Sequence, residues 1–152
     1  MPSLSRLCWV LPFLLLAGCG PEPTTSRSKL EGQVPPGFEN LSLEEALALA
    51  KTDDKLVMAD FYAEWCPPCK RLDAETWTDP QVQEWLKLKT VAIKVNVDMN
   101  PQVGGKYNFS TIPVLIFLRP DGSEVGRLGG FRPPEQFLKD ADKLLTANAA
   151  GK

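Results

Sequence analysis

Residues 56–70 of this 152-residue chain read LVMADFYAEWCPPCK, an apolar strand-like run followed by two closely spaced cysteines. Cys66 and Cys69 are near enough to close one small disulfide and to open it again. Pro67 and Pro68 suit the first turn of a helix, because an N–H missing there costs no intrahelical hydrogen bond. The unpaired N–H groups and partial positive charge of a helix N-terminus both favour a thiolate at Cys66. The stretch predicts a redox-active dithiol at a strand-to-helix junction.

Two other roles are open to a Cys-x-x-Cys pair. A structural zinc site needs about four protein ligands, but the chain has no histidine, and its other two cysteines, Cys8 and Cys19, lie near the N-terminus. A static disulfide that closes so short a loop stabilises little in the chain-entropy model. Redox chemistry is the strongest of the three interpretations, and no metal site is predicted.

The first eighteen residues are typical of an export signal. Arg6 supplies a positive charge, and the apolar run from Leu7 to Leu16 is shorter than a membrane span of about 20 residues. Leu16-Ala17-Gly18-Cys19 resembles the bacterial lipobox, in which the cysteine is lipidated and becomes the first residue after cleavage. We therefore predict a lipoprotein signal at 1–18 and lipidation of Cys19. An ordinary secretory signal and an uncleaved anchor are the alternatives.

The next segment, residues 19–37, has the composition of a tether. It is rich in Pro, Ser, Thr and Gly, which cannot bury a core. A coil of this length spans about 23 Å and would hold a folded domain near a membrane. The expected location is the bacterial cell envelope, lipid-anchored and facing the periplasm or another extracytoplasmic space, where disulfides persist. The net charge of −2 and the lack of a concentrated basic patch argue against nucleic acid as a partner.

One domain is predicted over residues 38–152. Ser42 and Glu45 form a capping-box pattern before a first helix. Hydrophobic patterning predicts strands at 56–62, 91–97, 114–118 and 124–128, and helices at 67–76, after Asp79-Pro80, near 101–107 and from Pro133. Strands that alternate with helices and end in a hairpin and a helix predict an α/β fold. We expect a central mixed sheet of about four strands with helices on both faces.

Residues 41–145 resemble the thioredoxin superfamily. Three segments carry the resemblance: ADFYAEWC at 59–66, KVNVD at 94–98 and TIP at 111–113. Within the superfamily, residues 69–83 look most like the C-terminal periplasmic domain of the thiol:disulfide interchange protein DsbD. Ala74, where thioredoxins have a helix-kinking proline, also favours that branch. The Pro-Pro between the cysteines departs from both groups, and an electron donor of the DsbD or CcdA membrane type would have to act in trans.

The resemblance implies a role for each of five side chains. Cys66 would be the exposed attacking thiolate, and the more buried Cys69 would resolve the mixed disulfide. Asp60 would be a buried carboxyl of raised pKa that exchanges a proton with Cys69, with Lys94 as its partner. Asp73, four residues after Cys69, would lie near the same site. The alternative for Asp60 and Lys94 is that they are simply solvated.

A second functional feature is Ile112-Pro113. The resemblance implies a cis peptide bond here, lying against the disulfide and leaving the backbone of Ile112 to pair with an extended substrate strand. From the residues alone, a trans proline that begins a strand is the alternative. Trp65 and the Gly129-Gly130 pair are expected to line the same groove.

Together these features predict a membrane-tethered thiol:disulfide oxidoreductase that needs no cofactor, acts as a monomer and takes protein disulfides as substrates. Asp60, Lys94 and the DsbD-like segment favour a protein-disulfide reductase, which could serve cytochrome c maturation or rescue wrongly oxidised proteins. A disulfide oxidase or isomerase is the second interpretation. A non-catalytic binding module that uses the groove beside Pro113 is the third.

Overall fold

The computed structural model describes residues 34–150. The predicted signal, Cys19 and nearly all of the tether therefore lie outside the described residues. Within 34–150, no helix is long and apolar enough to cross a membrane.

Helices and strands alternate along the described chain, as the hydrophobic patterning predicted. In chain order they are α1 (Leu43–Asp53), β1 (Leu56–Tyr62), α2 (Pro67–Arg71), a π-helical turn (Leu72–Thr76), α3 (Pro80–Lys89), β2 (Thr90–Asn96), α4 (Val103–Lys106), β3 (Val114–Leu118), β4 (Glu124–Gly129) and α5 (Pro134–Ala150). β2 begins one residue earlier than predicted. The single helix predicted over 67–76 is instead a short α-helix continued by the π-helical turn.

The four strands form one mixed sheet in the order β2-β1-β3-β4. β1 pairs in parallel with β2 and antiparallel with β3, and β3 pairs antiparallel with β4. The predicted four-stranded mixed sheet is confirmed. β1 is central, and five of its seven residues are buried. Cys66 and Cys69 come shortly after this central strand, so their position is set by the most enclosed part of the sheet.

A separate hydrophobic cluster covers each face of the sheet. Phe61, Ile93 and Ile116 belong to the cluster on one face, which includes residues of α1. Met58 and Leu115 belong to the cluster on the other face, which includes residues of α3 and α5. Side chains alternate between the two faces along a strand, so Asp60 shares the face of Met58. The sequence therefore places a carboxyl group inside an aromatic and aliphatic core.

Side-chain caps fix where the helices around the site begin. The capping box predicted at Ser42 and Glu45 is present at the start of α1. Asp79 Oδ1 accepts from the backbone N–H of Gln81 at 2.9 Å and of Val82 at 3.1 Å, which starts α3. Only Trp77, Thr78 and Asp79 separate the π-helical turn from α3, so the caps leave little freedom in this connection.

Candidate active site

A disulfide joins Cys66 and Cys69, with the two Cα atoms 5.3 Å apart. Cys66 is the N-cap of α2, and its Sγ accepts from the backbone N–H of Cys69 at 3.2 Å. Pro67 and Pro68 occupy the first turn of α2, so the predicted strand-to-helix junction is confirmed. The Sγ of Cys66 lies where backbone donors point, and such an environment stabilises a thiolate.

The expected difference in exposure between the two cysteines is wrong for this oxidised form. Cys66 and Cys69 are each 2% exposed. Ala63 is buried with them, and Tyr62 and Ile112 pack against the three residues. The bond between the sulfur atoms holds both under the same apolar side chains. The attacking role of Cys66 is therefore supported by its N-cap position, not by its exposure.

Asp60 lies fully inside the core face of β1. Its Oδ2 accepts from the indole Nε1 of Trp77 at 3.1 Å, and Lys94 Nζ lies 3.6 Å from the same oxygen. The pKa of Asp60 is raised to about 6, chiefly by burial and also by the nearby Asp73 carboxylate, against the lowering effects of Lys94 and of the Trp77 hydrogen bond. Asp60 is thus a buried carboxyl of raised pKa, as expected, and it can exchange a proton near neutral pH.

Lys94 is directly opposite Asp60 in the parallel β1–β2 register. Only 9% of its side chain is exposed, so the simple solvated alternative is wrong for this residue. Its Nζ forms a second ion pair with Asp73 Oδ1 and lies 4.4 Å from the centroid of the Tyr62 ring. Three partners hold the ammonium group in place, two from β1 and one from the π-helical turn.

Asp73 connects this buried pair to the surface. Its side chain is 38% exposed, and with Tyr62 and Lys94 it lines an open groove of about 1040 Å³. The structure therefore brings Asp73 to the same site as Asp60, as the resemblance implied. Water in the groove has access to the Lys94–Asp73 end of the cluster.

The backbone around Pro113 has the geometry that the resemblance implied. The Ile112-Pro113 peptide bond is cis, and Ile112 packs against the cysteine pair. The carbonyl oxygen of Pro113 accepts from the backbone N–H of Gly130 at 2.8 Å, which fixes the turn after Gly129 beside it. Among the described residues, Ile112 has no backbone hydrogen bond. Its N–H and C=O are thus open to an extended partner strand.

Trp65 is 66% exposed directly before Cys66. Its Nε1 donates to Asp98 Oδ2 at 3.0 Å, so the indole is held in one orientation at the surface. An exposed, fixed aromatic ring beside a dithiol is suited to contact a protein substrate.

The thioredoxin-like domain family matches residues 43–145 of this chain. The chain belongs to the thioredoxin-like domain family. A thioredoxin of Bacillus subtilis is 38% identical over 96 residues, which are 63% of this chain and 88% of that protein. The thiol:disulfide interchange protein DsbD of Haemophilus ducreyi is 32% identical over 124 residues, which cover 72% of this chain and 21% of DsbD.

A solved structure shows which part of DsbD this thioredoxin-like chain resembles. The reduced C-terminal domain of Neisseria meningitidis DsbD superposes with a TM-score of 0.59 at 28% identity, over 66% of this chain and 92% of that domain. The similarity to DsbD thus concerns about a fifth of the whole Haemophilus protein. The family and the Cys66–Cys69 disulfide identify the chain as a thioredoxin-like disulfide oxidoreductase.

Sequence reasoning missed two residues of this thioredoxin-like site. Trp77 bonds to Asp60, and Asp98 bonds to Trp65. Both lie in segments quoted for the family resemblance, but no pattern in the sequence pairs a tryptophan with a carboxyl 17 or 33 positions away. An aromatic residue directly after a predicted helix was the one available signal for Trp77.

Proposed function

We propose that this thioredoxin-like domain is a membrane-tethered, extracytoplasmic reductase of protein disulfides. The observation that carries the proposal is a redox disulfide at the N-terminus of α2 together with the buried Asp60–Lys94 pair. The similarity to the DsbD C-terminal domain supports the same direction of electron flow.

The chemistry begins with the reduced dithiol. The Cys66 thiolate attacks one sulfur of a substrate disulfide, a Cys66–substrate disulfide forms, and the other substrate sulfur leaves as a thiolate. Cys69 then gives its thiol proton to Asp60 and attacks the Cys66 sulfur. The second substrate sulfur leaves, the Cys66–Cys69 disulfide forms, and two electrons have passed to the substrate.

Asp60 suits the acceptor role because of its pKa. With a pKa of about 6, its carboxyl is ionised at neutral pH and close enough to that pH to take a proton and release it again. The route of release runs from Asp60 along Lys94 to Asp73 and the groove, which is open to solvent.

The substrate strand would pair with the backbone of Ile112, and Trp65 would contact its side chains. Two electrons must then be returned to the disulfide by a membrane donor of the DsbD or CcdA type. The lipid anchor at Cys19 would keep the domain near that donor, and it is checked by whether Cys19→Ser releases the protein from the membrane fraction. We propose that the domain acts as a monomer.

The direction of electron flow is tested by the equilibrium reduction potential of the Cys66–Cys69 pair. The purified chain is equilibrated in thiol buffers of stepped potential, and free thiols are counted by alkylation and mass shift. A value near or below about −250 mV, close to thioredoxin at about −270 mV, supports a reductase. A value near about −120 mV, that of a strong oxidant such as DsbA, contradicts it and favours the oxidase interpretation. Cys66→Ser is the control, since it should show no transition.

A further inference from the structure

Trp77 reaches the Asp60 carboxyl from the connection between the π-helical turn and α3. Its Nε1 donates to Asp60 Oδ2 at 3.1 Å, and both side chains are buried. The rings of Phe38 and Phe137 pack edge-on against the indole, each with its centroid 5.1 Å away. The backbone N–H of Trp77 also donates to Leu72 O at 2.9 Å, which closes the π-helical turn. The indole N–H is therefore held in a single direction.

The two oxygens of Asp60 have different surroundings. Oδ2 accepts a hydrogen bond from the Trp77 indole N–H and pairs with the Lys94 ammonium group. Oδ1 is buried and has no hydrogen-bond partner among the described residues. An unpaired buried acceptor is costly, and a protonated carboxyl removes part of that cost. Because donors already point at Oδ2, a proton on the carboxyl belongs on Oδ1.

We propose that Trp77 is a positioning residue: with Lys94 it holds Oδ2 of Asp60, and it thereby makes Oδ1 the oxygen that carries the exchangeable proton. Only the source of that proton, the Cys69 thiol, rests on the proposed function. The orientation of the carboxyl does not.

Loss of the indole N–H has a defined electrostatic effect. The ionised carboxylate loses a donor that stabilises it, so the pKa of Asp60 rises above about 6. The charged groups that act on Asp60 are Lys94 from β2 and Asp73 from the π-helical turn, and neither changes in a Trp77 variant. β3 places the apolar Leu115 beside Asp60.

The chain offers a matched control in Trp85. This second tryptophan belongs to the same hydrophobic cluster and packs edge-on against Phe137, with ring centroids 5.6 Å apart. Its Nε1 donates at 2.7 Å to Asp142 on α5, away from Asp60. Trp77→Phe and Trp85→Phe therefore make the same change in the same core, but only the first removes a donor from Asp60.

The test is a carbon-13 NMR titration of the Asp60 carboxyl in the oxidised full chain, with the signal assigned by its absence in Asp60→Asn. We expect the midpoint to rise by about half to one pH unit in Trp77→Phe, since one hydrogen bond is worth about 1 kcal/mol and one unit about 1.4 kcal/mol. Trp85→Phe should titrate like the unmodified protein. A Trp77→Phe midpoint equal to that of the unmodified protein, or equal shifts in both variants, would overturn the inference.

A second measurement needs no substitution. In the unmodified protein, the indole N–H resonance of Trp77 should shift with pH at the midpoint of Asp60, whereas that of Trp85 should not. A pH-independent Trp77 indole resonance contradicts the proposal even if Trp77→Phe fails to fold. A shifted Asp60 titration in a protein with an oxidising potential would overturn the proposed function and leave the positioning role standing.

Discussion

At the scale of single residues, Asp60 is a group that destabilises the fold it belongs to. It lies at the centre of β1 with one oxygen unpaired among the described residues. Ionisation of a carboxyl in such a place costs free energy, which is why its pKa is raised to about 6. A costly buried charge on the strand that leads to the Cys66–Cys69 disulfide is typical of a functional requirement.

Replacement of Asp60 by Asn should make this cost visible as a pH-dependent gain in stability. The pKa of Asp60 is about 6 in the folded protein against the ordinary 3.8, so the folded state holds the proton more tightly than the unfolded chain. The free energy of unfolding of the unmodified protein should therefore fall as pH rises from about 4 through 6. Relative to it, Asp60→Asn should gain up to about 3 kcal/mol by pH 7.

Urea unfolding of the oxidised protein at several values between pH 4 and pH 7 measures this difference. Asp98→Asn is the control, because Asp98 is an exposed carboxyl near the same site. Unfolding free energies of Asp60→Asn and the unmodified protein that differ by a constant amount across this range would contradict the assigned pKa.

At the scale of elements, the π-helical turn sets the electrostatics of the site. It contains Asp73, and Trp77 caps its C-terminal end, so both side chains lie against the Lys94–Asp60 pair. The two side chains act in opposite directions: the Asp73 carboxylate raises the pKa of Asp60, and the Trp77 hydrogen bond lowers it. The turn and the residue that caps it thus shift the pKa of the same carboxyl in opposite directions.

Asp73→Asn should consequently lower the pKa of Asp60, because it removes a neighbouring negative charge and frees Lys94 for Asp60. The measurement is the same carboxyl titration, and the direction is opposite to that expected for Trp77→Phe. Glu75→Gln is the matched control, since Glu75 lies in the same turn but pairs with Arg71 on the surface. An Asp60 midpoint that stays unchanged or rises in Asp73→Asn would show that the turn does not act as described.

At the scale of the whole molecule, five aromatic rings join distant parts of the chain. They come from the N-terminal segment, the connection after the π-helical turn, α3, β3 and α5, and they are Phe38, Trp77, Trp85, Phe117 and Phe137. Phe137 is fully buried and contacts both tryptophans. The aromatic cluster that packs around Trp77 therefore also holds α3 and α5 against the sheet.

Phe137→Ala should lower the free energy of unfolding by about 3–5 kcal/mol, through lost burial and the cavity left between the tryptophans. Leu88→Ala, at a side chain that is mostly exposed, should change it by less than about 0.5 kcal/mol. Denaturant unfolding of both variants measures the effect. A loss of under about 1 kcal/mol in Phe137→Ala would mean that the cluster does not hold α5 to the sheet.

The sequence was sufficient for the strands, the caps and the residues of the dithiol, because each has a local signal. The cis bond before Pro113 and the Asp60–Lys94 pair followed from the family resemblance. The π-helical turn could not be predicted, since residues 67–76 have the composition of an ordinary helix and the turn is fixed by distant partners such as Lys94. The burial of Cys66 also depends on contacts made only after folding, with Ile112 among them.

The enclosed disulfide has a consequence for chemical selectivity. A thiolate must approach a disulfide sulfur directly, so reaction rates depend on access. With both sulfurs covered, small bystander thiols in the surrounding medium meet a poor target. A partner that docks on Trp65 and on the backbone of Ile112, as proposed above, would have to displace the covering side chains before exchange. Burial of the disulfide is therefore expected to slow exchange with small thiols and to favour partners whose binding offsets the cost of uncovering it.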